Sequence, residues 1–287
     1  MKKLLIVLIM SVALVGCSDA VVNVTNPKET AITVGDVSFT KEHLFSLLKN
    51  QDPATLVVEM AKRKILDEKQ PVDDDIRAKA QEELDYVKEV FGDSFSNSLA
   101  SYGFSSEEEY LEKALIPNAQ EVALVSNFIS ENFDLMITTY NPKQVRIIEF
   151  TEITDATEAL QAIRDGENVE EVAERLSNSL SYNGTLRLVH TETSLPSEVK
   201  DFITQNEVPT LTANPIEDAN SGRYYVVQII EVNPSRFQEE TIEELSNLNS
   251  INEMMFIDYF EQGNFNVYDK TIYDAMMQSY RNYLPNR

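Results

Sequence analysis

Val145-Arg146-Ile147-Ile148-Glu149-Phe150 opens, and Tyr224-Tyr225-Val226-Val227-Gln228-Ile229-Ile230 closes, a unit set in a chain whose period is otherwise almost entirely helical. Both runs are rich in β-branched and aromatic residues, and the second is nearly continuous in apolar character, as expected of a strand buried on both faces. Between them, Asp155 with Glu158 starts a helix carrying Ala156, Ala159, Leu160 and Ile163, and Gly166 stands as its stop. Asn168 with Glu171 starts a second helix bearing Val169, Val172, Ala173 and Leu176. Thr185–Val189 reads as a middle strand and Leu195–Phe202 as a short helix. The stretch from Lys143 to Asn233 is therefore expected to be a compact α+β unit.

Outside that stretch the apolar spacing is helical. Ala31–Val34 and Val37–Phe39 flank Gly35-Asp36, a two-residue hairpin turn, and Thr40 offers an N-cap to a helix with Leu44, Phe45, Leu47 and Leu48. Helices are expected over Ala54–Lys69 and Asp73–Phe91. A third, capped by Ser105 with Glu108, should run to about Leu135 with a kink at Pro117. After Pro234 the spacing resumes through Ile242, Leu245, Leu248, Met255 and Tyr259, and then Ile272, Met276, Tyr280 and Tyr283. A helical frame is thus interrupted in sequence by the central unit.

The N-terminus carries a different signal. Lys2 and Lys3 precede an apolar run, Leu4–Ala13, too short for a bilayer span of about 20 residues. It ends in Leu14-Val15-Gly16-Cys17, which resembles a bacterial lipobox. That resemblance implies lipidation of Cys17 and removal of residues 1–16, leaving 17–30 as a tether. A plain secretory signal with an incidental cysteine is the alternative. Cys17 is the only cysteine, so no intramolecular disulfide can form.

Composition narrows the function classes. The net charge is −24 over 287 residues, spread along the chain, which argues against nucleic acid. Eight glycines and no tryptophan argue against a glycine-rich phosphate loop. Asp73-Asp74-Asp75 lacks the alternating ligands and glycine of a calcium loop and suits a helix N-terminus instead. No metal and no cofactor is expected.

Ala31–Lys49, the Val90-Phe91-Gly92-Asp93 and Tyr102-Gly103-Phe104-Ser105 segments, and the tail Phe265-Asn266-Val267-Tyr268-Asp269 resemble the chaperone modules of the SurA and PrsA foldases. The central unit resembles a parvulin peptidyl-prolyl isomerase, through Arg146-Ile147-Ile148, Gly166–Ala173, Asn183-Gly184-Thr185-Leu186 and Tyr224–Val227. The resemblance implies residues 31–142 and 234–287 as two parts of one mostly helical chaperone domain, with an inserted parvulin-like domain at 143–233, a small antiparallel sheet with helices. It implies a lipid-anchored foldase on the extracytoplasmic face of a Gram-positive-type membrane, with exported polypeptides as clients. Monomer and homodimer both stay open.

Parvulins hold proline with two histidines around a Cys or Asp, beside a Met or Leu and a Phe. Those positions fall at Arg146 and Tyr225 for the histidines, at Ser179, at Leu195 and at Val199. Only Leu195 keeps the family type. The expectation is therefore weak or absent isomerase activity in a retained scaffold. His43 and His190, the only histidines, occupy neither position. Met254, Met255, Phe256 and Met276 are candidate client contacts, because methionine adapts to varied partners, with core packing as their competing use. A working isomerase and a non-chaperone surface lipoprotein are the alternative functions.

Overall fold

The computed structural model describes residues 24–34 and 37–285. The described elements begin with the hairpin β1 (Thr30–Val34) and β2 (Val37–Thr40), followed by α1 (Lys41–Gln51), α2 (Pro53–Lys69) and α3 (Asp74–Phe91). Next come α4 (Phe95–Ser101), α5 (Glu107–Tyr110), α6 (Ile116–Glu131) and α7 (Phe133–Tyr140). The central elements are β3 (Lys143–Phe150), α8 (Ile153–Arg164), α9 (Val169–Leu176), β4 (Asn183–Val189), α10 (Ser197–Gln205), β5 (Thr210–Leu211), β6 (Ile216–Asp218) and β7 (Arg223–Glu231). Helices α11 (Gln238–Ser246), α12 (Asn249–Gln262) and α13 (Lys270–Ser279) end the chain. The protein is α+β, mostly helical, with a small antiparallel sheet.

Two compact units divide it: residues up to Glu121 with those from Asn252 onward, and residues Val122–Ile251. In the first, described residues from before Val122 and after Ile251 build one body. Lys49 Nζ meets Asp269 at 2.5 Å, and Thr55 Oγ1 and Tyr280 OH lie 2.7 Å apart. Lys62 sits 4.8 Å above the Phe256 ring, a cation–π contact over a fully buried aromatic. Ile76, Ala80 and Leu84 of α3 close on Phe95, Leu99, Leu115 and Ile116.

Local chemistry sets most of the boundaries. Thr40 caps α1 in a reciprocal box, its hydroxyl accepting from His43 N while His43 Nδ1 accepts from Thr40 N. Asp73 caps α3. Two expectations are corrected. The cap of α5 is Ser106, which accepts from Glu109 N, while the Glu109 carboxylate reaches back to Ser105. Helix α6 stops at Glu131 rather than near Leu135, and the irregularity at Pro117 is a π turn over Leu111–Leu115, just ahead of it. Proline has no N–H to donate to the carbonyl four residues back, and a slipped ladder accommodates that loss. The turn at Gly35-Asp36 lies outside the described residues; Val34 and Val37 on either side of it are paired.

The second unit is built on a sheet of order β4-β3-β7-β5, with β6 also on β7, all antiparallel. The strands β5 and β6 were not expected. On one face, Ile148, Phe150 and Val226 pack on Ala156, Ala159, Leu160 and Ile163 of α8 and on Val172 and Ala173 of α9. On the other, Val145, Ile147, Tyr225, Val227 and Ile229 pack on Val199 and Ile203 of α10. Gly166, at φ +94°, ends α8 with Gly166 N and Glu167 N bonded to the carbonyls of Ile163 and Ala162. Gly184, at φ +80°, lies where a Cβ would come within 3.0 Å of Val169 O, so α9 can cross β4 closely only above a glycine.

Candidate functional site

Regular pairing of β3 with β7 from Val145 to Phe150 fixes which side chains share a face. Ile147 and Tyr225 point to the α10 face, and Arg146 points to the α8/α9 face. The two positions expected to replace a histidine pair are therefore separated by the sheet. The motif assignment of the two histidine positions to Arg146 and Tyr225 thus puts them on opposite faces, and the residue that shares Tyr225's face is Ile147.

On the α10 face, Tyr225 is 3% exposed. Its hydroxyl donates to Glu149 Oε2 at 2.9 Å, and Arg223 Nη1 meets Glu149 Oε1 at 2.9 Å. Burial, then the Glu149 hydrogen bond and charge, raise the phenol well above its ordinary pKa, so it remains a donor committed to that carboxylate. The Tyr182 ring stands edge-on to Tyr225, with centroids 5.9 Å apart. Leu195 is half-buried against the same cluster and Val199 is fully buried within it. A prolyl isomerase needs an apolar slot for the ring and a free polar group for the twisted amide. Here Tyr182, Leu195 and Val199 pack with Tyr225 in one apolar cluster, and the phenol is already bonded to Glu149.

On the opposite face, Arg146 Nη1 donates to Glu170 Oε1 at 2.5 Å and to Gly184 O at 2.7 Å, tying β3 to α9 and β4. Ser179 lies in the loop after α9, where its hydroxyl accepts from Tyr182 N at 3.1 Å. It borders an open cleft of about 380 Å³ with Glu170, Glu174, Asn178 and Asn183. The five family positions thus do not form one pocket: Leu195, Val199 and Tyr225 share a face, Arg146 lies across the sheet, and Ser179 sits on the loop.

The remaining candidates are placed as follows. Met255, Phe256 and Met276 are fully buried, which corrects their assignment as client contacts, since a side chain without surface cannot meet a client in the folded state. Met254 is half-buried. Cys17 lies outside the described residues. His43 is used in the α1 cap. His190 is buried beside Tyr140, with Nε2 3.8 Å from Glu244 Oε1 and Nδ1 accepting from Glu192 N. Burial lowers its pKa, against the opposing pull of Glu244 and Glu192. Among the described residues, no group of three or more His, Cys, Asp or Glu could hold a metal ion.

Sequence reasoning missed two residues. Lys143 is fully buried, and its ammonium donates to the carbonyls of Ile203 (3.0 Å), Thr204 (3.4 Å) and Asn206 (2.8 Å) and to Glu207 Oε1 (3.3 Å). A cation thereby caps the C-terminus of α10, where the carbonyls lack helical partners. Glu149 joins Tyr225 to Arg223, and its own carbonyl accepts from Ser177 Oγ at 2.6 Å.

No family model matches the chain, and no curated protein matches it. Among solved structures it is similar to the foldase protein PrsA from Streptococcus pneumoniae, at 16% identity over 87% of this chain and 99% of that one, with a TM-score of 0.49. It is similar also to the peptidylprolyl isomerase PrsA from Bacillus cereus, at 19% identity over 88% and 99%, with a TM-score of 0.47. PrsA from Bacillus subtilis is similar at 17% identity over 88% and 100%, with a TM-score of 0.40.

Proposed function

We propose that this chain is a membrane-anchored extracytoplasmic foldase of the holding type, in which residues 31–142 and 234–287 form the chaperone domain and 143–233 a parvulin-like scaffold weak or inactive as an isomerase. The observation that carries the reading is the filled α10 face: Tyr225 is bonded to Glu149, Val199 is buried, and Arg146 lies across the sheet. The lipobox-like Leu14-Val15-Gly16-Cys17 supports anchoring through Cys17. Among the described residues no helix is long and apolar enough to cross a membrane. The clients are unfolded or partly folded exported polypeptides.

The test uses one preparation of the full chain in two assays, aggregation of an unfolded secreted protein and cis/trans exchange in a short proline peptide. The expected result is delayed aggregation with exchange at the uncatalysed rate. Accelerated exchange overturns the inactive scaffold in favour of a working isomerase. Failure to delay aggregation revives the non-chaperone lipoprotein. Cys17→Ser should leave the chain unprocessed or release it from membranes, and a variant both processed and membrane-bound would refute lipidation at Cys17.

A further inference from the structure

The hairpin β1–β2 and α1 have no buried residue among those whose side chains are described. Ile32, Val37, Phe39, Leu47 and Leu48 are between 41% and 58% exposed. Pairing sets Ile32 opposite Phe39, and Val37 follows at the next position on the same side, so one face of the hairpin is apolar. Helix α1, which contacts both strands of the hairpin, carries the exposed Leu47 and Leu48. An exposed cluster of this kind marks a binding surface.

Two observations say what covers it. From residue 24 to 51, Lys28, Lys41 and Lys49 balance Glu29, Asp36 and Glu42, so this part is electrically neutral in a chain of net charge −24. An anionic bilayer repels the acidic remainder and spares this segment. The segment also follows directly on the tether: from Cys17 to Thr30 the chain spans at most roughly 45 Å when fully extended. A lipid anchor at Cys17 therefore holds the apolar face at high effective concentration beside the bilayer.

We infer that β1–β2 and α1 form a second membrane contact, in which Ile32, Val37, Phe39, Leu47 and Leu48 rest in the interfacial layer of the lipid bilayer to which Cys17 is attached. The inference rests on the anchoring reading above. Neither element is long enough to span, so the contact is interfacial. It adds to the anchor at Cys17 a second contact that orients the attached domain, the two contacts reinforcing one another.

The chain has no tryptophan, so a single introduced indole reports on its own surroundings. Mature lipidated protein carrying Phe39→Trp or Leu48→Trp is reconstituted in vesicles of phosphatidylglycerol and phosphatidylcholine containing brominated acyl chains. Both reporters should shift to the blue and be quenched at least about twofold. Tyr102→Trp, at a position 76% exposed beyond α4, should stay unquenched. Adding Leu47→Glu to Phe39→Trp should abolish the quenching while the far-ultraviolet spectrum is unchanged. If the protein carries its lipid and cofloats with vesicles but both reporters remain in water, the second contact is refuted and the anchor stands. If mass spectrometry finds no lipid on Cys17 and the protein stays soluble, both fail. Shielding that grows with protein concentration in the absence of vesicles would assign the surface to a second copy and overturn the inference.

Discussion

The two faces of the central sheet hold their polar groups in opposite ways. On the α10 face Lys143 and Tyr225 are almost wholly buried, each with its donors matched to acceptors of the protein. On the α8/α9 face the charged group is Arg146, held at the rim by the half-exposed Glu170 and one carbonyl. A buried donor that loses its partner costs the full desolvation of what is left behind, whereas a rim pair exchanges its contacts for water. The α10 face is thus the one whose polar groups are most committed to holding this fold.

That contrast predicts unequal responses to substitution. Lys143→Met should have the largest effect, about 3 kcal/mol, because the carbonyls of Ile203 and Asn206 are left without a donor inside the protein. Chemical denaturation gives the magnitude, and hydrogen exchange should show α10 opening first. A loss below about 0.5 kcal/mol would mean that water replaces the ammonium and that the α10 face is no tighter than its opposite. Tyr225→Phe should cost about 1.5 kcal/mol, since Glu149 loses a buried donor but keeps Arg223.

His190, buried beside Tyr140 at the end of β4, adds a test through pH. Its folded pKa lies below the ordinary 6.5, first through burial. The unfolded chain then takes up the proton before the folded one does, so this group's penalty is absent above pH 6.5 and grows as pH falls through it. The charges facing it are Glu244, Glu192 and Lys200. Stability should therefore decline from about pH 7 to pH 5.5, and His190→Gln should flatten that decline. An unaltered slope would assign it to other groups. Asp269 is no rival in that window. Burial raises its pKa, but the Lys49 ion pair and the amides of Ile272 and Thr271 outweigh that, so its contribution is present above the ordinary carboxylate range and lost only in stronger acid. Arg146→Ala should cost less than about 1 kcal/mol, in keeping with a rim pair.

Much of the unit was legible because its signals are local. Asn168 caps α9 with its side chain on Glu170 N and Glu171 N, and Gly166 stops α8. What failed was parity. Alternation reveals which face a strand residue takes only when one face is wet, and β3 is covered on both sides, so Ile147 and Ile148 are buried alike. Nothing in Arg146-Ile147-Ile148 could then say whether Arg146 or Ile147 faces α10. The strands β5 and β6 are two and three residues long, below what periodicity can detect. Lys143 reads as a surface residue until the end of α10 is brought to it by the fold. Met255 and Phe256 read as client contacts on the adaptability of methionine, and α12, buried on several sides, has no single apolar stripe to mark them as core.

The parity error supplies the sharpest test, and its expected effect is nil. Arg146→His combined with Tyr225→His restores both family residue types by motif, yet the sheet keeps the two imidazoles on opposite faces. Proline-peptide exchange should stay at the uncatalysed rate, with circular dichroism confirming that the variant is folded. Ile147→His with Tyr225→His is the matched control. Ile147 pairs with Val227, two residues from Tyr225 on the same face, so these imidazoles are diagonal neighbours roughly 7 Å apart. Any gain of exchange should be confined to that second pair, and even there it must displace Tyr182 and Leu195 to admit a proline ring. Acceleration by the Arg146 pair would mean that β3 pairs one residue out of the register described, and the contrast between the two faces would fall with it.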